Sequence, residues 1–215
     1  MIKRIFVTAT NTDIGKTYTT RLLLKELASR GVRVGVMKPI ETGVVDNAPD
    51  GDMLLELIKE LNSEFKNLTR EDIVPITYEL PAAPYVSSKN KAFDFKLIDE
   101  TIEKLEKLCD VLIIEGAGGL YVPIDDKTMM IDLIQYLKAT TLLVTHCSLG
   151  CINDTLLSLK ALDSYGIKHS VAFNCRKSDS SFQTVSEPYF LDSGFEVLKV
   201  GWDIKEICNE LYLEK

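Results

Sequence analysis

"RIFVTATNTDIGKTYTT", residues 4–20, opens on an apolar, β-branched run and closes on Gly15-Lys16-Thr17 followed by residues of helical period. A strand that delivers the chain into G-K-T and straight on into a helix is the setting in which this short motif binds phosphate. Backbone N–H groups of the loop and of the helix N-terminus face the phosphates, where the helix dipole also favours negative charge. Lys16 is a mobile point charge for the β- and γ-phosphates, and the Thr17 hydroxyl suits Mg²⁺, a hard ion that takes oxygen ligands. The usual G-x-x-x-x-G-K-[ST] spacing puts glycine at position 10, which is Thr here. Counted from Ala9 the loop is one residue longer, A-x₅-G-K-T, which relaxes the need for a glycine at its first turn.

Working outward, short apolar runs alternate with longer stretches of helical period. The strand expectations are 4–9, 33–38, 110–116, 140–146, 169–174 and 195–200; the helix expectations are 16–30, 52–62, 95–108, 129–138, 151–165 and 203–213. Alternation of this kind predicts an α/β fold with a parallel, doubly wound sheet of about seven strands and helices on both faces. Several strands are apolar throughout, as covered sheets require. Gly31 is placed to end the first helix. The stretch "YELPAAPYVSSKNKAF" (78–93) predicts a long, functional or mobile loop. With no repeat or linker composition, residues 1–215 are expected to form a single domain.

Composition narrows the class. Lys and Arg number 25 against 32 Asp and Glu, a formal charge of −7, so no footprint for nucleic acid or an anionic membrane is expected. No apolar stretch reaches the roughly 18 residues of a membrane-spanning helix. Five scattered cysteines (Cys109, Cys147, Cys151, Cys175, Cys208) predict buried thiols in a soluble cytoplasmic protein.

Ligands of open parallel sheets bind beyond the carboxyl ends of strands. Three clusters fall there. In "MKPIETG", Lys38 is either a solvated surface charge or a second cation beside Lys16. In "IIEGAGGLYVP", Glu115 ends a buried strand, where an unpaired carboxylate is costly; it either faces a metal or amine, or caps a neighbouring helix. In "THCSLGCIND", Gly150 to Asn153 begin a helix whose N–H groups could hold a carboxylate. The His146, Cys147 and Cys151 spacing there lacks a fourth zinc ligand. Asp52, in "PDGDMLLEL", reads equally as a metal ligand or as a charge on a helix N-terminus.

Taken together, "FVTATNTDIGKT", "VMKPIETG", "EGAGGLYVP" and "LGCIN" resemble dethiobiotin synthetases, over nearly the whole chain. That family has a P-loop NTPase fold whose phosphate loop carries five residues between its glycines, with Ala9 here standing for the first. The resemblance implies an ATP-dependent ligase of biotin biosynthesis. Its substrate, 7,8-diaminopelargonic acid, forms a carbamate with CO₂; ATP phosphorylates the carbamate, and the second amine closes a cyclic urea.

By the same resemblance Lys16, Lys38 and Thr12 are catalytic, and Thr17, Asp52 and Glu115 hold Mg²⁺. Asp13, Ile14, Gly15, Lys16, Thr17, Tyr18, Glu115, Gly118 and Asn174 bind the nucleotide. Thr12, Lys38 and Thr42 bind substrate in one protomer of a homodimer, and Gly150, Cys151, Ile152 and Asn153 reach it from the other, with Tyr189 a further candidate. Cys175 after Asn174, and "KVGWDI" without the family's proline, imply an open or less selective purine pocket, so other nucleoside triphosphates are expected beside ATP. The alternative is an ATPase switch of the partitioning or metallocluster-delivery class. Those proteins carry an extra loop lysine or a basic tail helix, whereas the loop here starts Ala9-Thr10-Asn11 and the tail is rich in Glu.

Overall fold

The computed structural model describes residues 2–213; Met1, Glu214 and Lys215 lie outside the described residues. In chain order the elements are β1 (Lys3–Ala9), α1 (Lys16–Ser29), β2 (Val34–Met37), β3 (Ile40–Thr42), α2 (Pro49–Leu61), α3 (Arg70–Ile73), β4 (Ile76–Tyr78), α4 (Pro84–Ser87), α5 (Phe95–Glu106), β5 (Val111–Gly119), α6 (Met130–Leu137), β6 (Thr140–His146), α7 (Cys151–Ser164), β7 (His169–Asn174), α8 (Phe182–Val185), α9 (Glu187–Asp192) and α10 (Ile204–Leu213).

The main sheet is parallel, in the order β2-β5-β1-β6-β7. It has five strands where about seven are expected. The stretch 195–200 contributes a single bridge, Phe173 to Lys199, instead of a strand. A second, two-stranded parallel sheet joins β3 and β4, a feature the sequence reading missed.

Residues Ile5 to Val7 of β1 and Val111 to Ile114 of β5 are wholly buried, which only helices over both faces can achieve. On α1 the buried residues beyond Lys16 are Thr19, Thr20, Leu23, Leu24 and Leu27, one stripe at i, i+4 spacing. α1 lies beside α2 and α10, while Phe95 at the start of α5 stacks on Tyr136 of α6 with ring centroids 4.7 Å apart. A smaller core of Phe173, Phe182 and Phe190 supports the C-terminal part.

Two of the expected buried thiols are not thiols. Cys147, just past β6, and Cys175, just past β7, are joined as a disulfide, because strand pairing sets His146 opposite Asn174 and brings the next residues together. Cys109, Cys151 and Cys208 are buried and free, and burial pushes the thiols of Cys109 and Cys208 up to about 12.

Candidate active site

The carboxyl ends of β1, β2 and β5 open into a cleft of about 900 Å³. The loop from β1 to α1 forms one wall. Gly15 enters α1 at φ 104, a left-handed conformation that suits glycine, and a Cβ there would meet the Asn174 amide at 2.1 Å. Asn174 instead donates to the Ile14 carbonyl at 2.7 Å, and the Arg176 guanidinium donates to the Asp13 carbonyl. Two side chains from the end of β7 thus pin the phosphate loop from behind.

Lys16 is buried, with its ammonium 3.2 Å from the Asn11 carbonyl. Burial, and next the charge of Lys38, pull it down to about 8, while Glu115, Asp50 and Asp13 oppose the fall. Lys38 is no surface charge. It is buried at the end of β2, donating to Glu115 Oε1 at 2.7 Å and to Asp50 Oδ2 at 2.9 Å. Burial pulls its ammonium down, but the two carboxylates outweigh this and hold it above the ordinary lysine value. Thr17 donates to the same Glu115 Oε1 at 2.8 Å.

Glu115 is fully buried, and its Oε2 has no hydrogen-bond partner among the described residues. An orphaned carboxylate oxygen inside the fold is costly unless a cation or donor meets it. With Thr17 and Asp50 beside it, the donor set is three oxygens, which fits Mg²⁺, an ion that keeps waters and phosphate oxygens and needs few protein ligands.

Asp52, the expected ligand, is turned away. Its carboxylate takes the Arg70 guanidinium at 2.7 and 2.9 Å and the Ala48 N–H at 3.0 Å. On the cleft itself stands Asp50, because α2 begins at Pro49 and carries Asp50 in its first turn. Two residues on a helix sit about 200° apart, so the two aspartates cannot face the same way. Burial pushes the Asp50 carboxyl up, but Lys38 leads the groups that bring it below the usual range.

Thr12, Asp13, Tyr18, Thr42 and Gly118 line the same cleft, as do Glu41 and the segment Pro81 to Pro84 from the expected functional loop. Glu41, Asp50 and Arg176 escaped the sequence reading. A second cleft of about 340 Å³ runs behind the loop past Ile14, His146, Asp154 and Asn174, and a third of about 560 Å³ lies between Arg176 and Trp202. Arg176 borders all three. Gly150 and Asn153 at the start of α7 are exposed, Ile152 is half-buried and Cys151 is buried; none of the four borders the main cleft of its own chain, and neither does Tyr189. His146 is held by Ser148 at 2.5 Å and Asp154 at 3.0 Å, and the disulfide removes Cys147 from any metal grouping.

A family model described as an AAA domain matches residues 3–193. The ATP-dependent dethiobiotin synthetase of Sulfurovum sp. (strain NBC37-1) is 48% identical over 202 residues, 94% of each chain. The chain belongs to the dethiobiotin synthetase family. The family's synthetase from Wolinella succinogenes is 35% identical over 98% of both chains, and that of Methanocaldococcus jannaschii 35% identical over 92% of this chain and 89% of its own. Among solved structures, a plasmid partition protein from Borrelia burgdorferi superposes with a TM-score of 0.60 at 13% identity, covering 99% of both chains. The MinD cell division protein of Aquifex aeolicus gives 0.53 at 15%, covering 96% of this chain and 86% of its own. These likenesses establish the P-loop fold, and the family membership separates this chain from such switches.

Proposed function

We propose that residues 1–215 act as one domain, a cytoplasmic ATP-dependent ligase that carboxylates 7,8-diaminopelargonic acid and closes its cyclic urea. The observation that carries this reading is the placing of two buried lysines, Lys16 and Lys38, on one cleft with the phosphate loop. A carbamate approaching a γ-phosphate brings anion against anion, and fixed cations in a low-dielectric site offset that repulsion best. An ATPase that only hydrolyses its nucleotide has no second anion for Lys38 to meet.

In this mechanism the loop N–H groups and Lys16 hold the triphosphate. Lys38, with Thr12 and Thr42, orients the carbamate toward the γ-phosphate for in-line attack. Mg²⁺, held by Thr17, Asp50 and Glu115, would neutralise phosphate charge as it builds. The second amine then attacks the mixed anhydride, releases phosphate and closes the ring. The exposed start of α7 (Gly150 to Asn153) fits a role toward the cleft of a second protomer in a homodimer, where its N–H groups would take the substrate's carboxylate tail.

The deciding assay is phosphate release from ATP with Mg²⁺ and bicarbonate, with and without the diamine, alongside mass detection of the urea. Release that needs the diamine and matches urea in amount is the expected result. Slow hydrolysis indifferent to the diamine would overturn the reading in favour of a switch.

A further inference from the structure

The start of α2 is capped in an unusual way. Ala48 stands at the N-cap with no side chain able to accept a hydrogen bond, although Ser, Thr, Asp or Asn commonly serve there. The Asp50 and Gly51 N–H groups donate instead to Glu41, at 2.9 Å each, one to each carboxylate oxygen. Glu41 comes from β3, a different element, and is itself buried. A Cβ at residue 51 would sit 2.8 Å from Glu41 Oε2 and 2.5 Å from Val74, so only glycine lets the carboxylate approach.

A helix end needs only a local cap for its stability, and a serine at position 48 would supply one. A buried carboxylate reaching across from another strand is a costlier solution. It does something a local cap cannot. The residue whose N–H it holds is Asp50, whose side chain meets Lys38 in the cleft, and the next residue along β3 is Thr42, on the same cleft wall. Glu41 therefore ties the wall carrying Thr42 to the helix turn carrying Asp50.

We propose that Glu41 is a positioning residue for the cation site, aiming the Asp50 carboxylate by holding the backbone of the turn that bears it. The inference rests on the reading of Thr17, Asp50 and Glu115 as the cation's ligands. Groups that orient ligands from behind commonly govern affinity as strongly as a weak ligand does.

The test separates aiming from capping. Mn²⁺ uptake in the presence of a non-hydrolysable ATP analogue is followed by the loss of the free Mn²⁺ spin signal, with thermal unfolding in parallel, for the unsubstituted protein, Glu41→Ala, Glu41→Gln and Glu41→Ala/Ala48→Ser. Glu41→Ala is expected to bind Mn²⁺ about tenfold more weakly, and Glu41→Gln, which keeps one acceptor, less so. In the double variant the new serine recovers the lost thermal stability while Mn²⁺ affinity stays low. Recovery of both together, or unchanged Mn²⁺ affinity in a folded Glu41→Ala, would overturn the proposal and leave Glu41 a cap. Failure of the unsubstituted protein to take up Mn²⁺ with nucleotide would overturn the ligand reading itself.

Discussion

The ammonium of Lys38 lies 2.7 Å from Oε1 of Glu115, with the lysine side chain 4% and the glutamate side chain 0% exposed. Two opposite charges so deeply placed are bound to each other's presence. Breaking such a pair from one side strands a charge in the interior and typically costs about 3–5 kcal/mol. Lys38→Met and Glu115→Gln should each lower stability in urea unfolding by an amount of that order. The double variant should be more stable than the sum of the two losses implies. Strict additivity would mean that the pair is not coupled.

Lys16 gives the clearest pH signature. Its ammonium titrates near 8 because it is buried and faces Lys38. Triphosphate affinity in the free protein should be level below pH 8 and fall as the pH rises through it, since the neutral amine no longer attracts phosphate. Lys16→Arg, charged throughout, should remove that bend in a calorimetric titration. Stability moves the opposite way. Between about 8 and the ordinary lysine value of 10.5 the unfolded chain holds more protons than the folded one, so Lys16's contribution to stability rises with pH across this window.

The phosphate loop was legible because it combines three local signals: a β-branched run, a fixed G-K-T and a following amphipathic stripe. The inner strands β5, β1 and β6 were legible because burial on both faces leaves continuous apolar runs such as Val111 to Ile114. What was not legible lies where tertiary structure decides. β3 and β4 are three residues each, too short for a periodicity, and exist because they pair with each other. The stretch 195–200 has strand-like composition, yet Glu196 and Val197 are not fully buried and only Lys199 bridges to the sheet. Asp50 on the cleft wall was passed over for Asp52 because the start of α2 was read past Pro49, a residue suited to the first helical position. Glu41 carried no signal at all, since its partners are backbone N–H groups of a distant turn.

The proposed role of Asp50 can be tested directly. Asp50→Asn should raise the Mg²⁺ concentration needed for half-maximal phosphate release by about tenfold or more. Asp52→Asn should leave it unchanged, because its carboxylate serves Arg70 and the Ala48 N–H. The reverse pattern would restore Asp52 as the ligand.

The sulfur inventory is equally open to measurement. Unfolded without reductant, the chain should titrate three thiols, those of Cys109, Cys151 and Cys208; after reduction it should titrate five. In the folded protein Cys109 and Cys208 should resist alkylation at pH 8, because burial holds both thiols up near 12 and the thiolate is the reactive form. Five thiols without reductant would show that the pair is open in solution.

Trp202 is the chain's single tryptophan, 72% exposed on the cleft it shares with Arg176. The adjoining Gly201 lies against the Tyr18 hydroxyl on the first turn of α1, at 3.3 Å from where a Cβ would stand. A nucleotide whose phosphates rest on that turn would lead its base toward this cleft. An aromatic face accepts any base, because stacking needs only a π surface. ATP, GTP and CTP should therefore all quench Trp202 fluorescence with similar midpoints, whereas inorganic triphosphate should bind without quenching. Trp202→Ala should weaken each nucleotide alike, by about tenfold, and leave triphosphate binding as it was. Quenching by triphosphate alone would place the base elsewhere, and a large preference for ATP would mean that hydrogen bonds, not stacking, select the base.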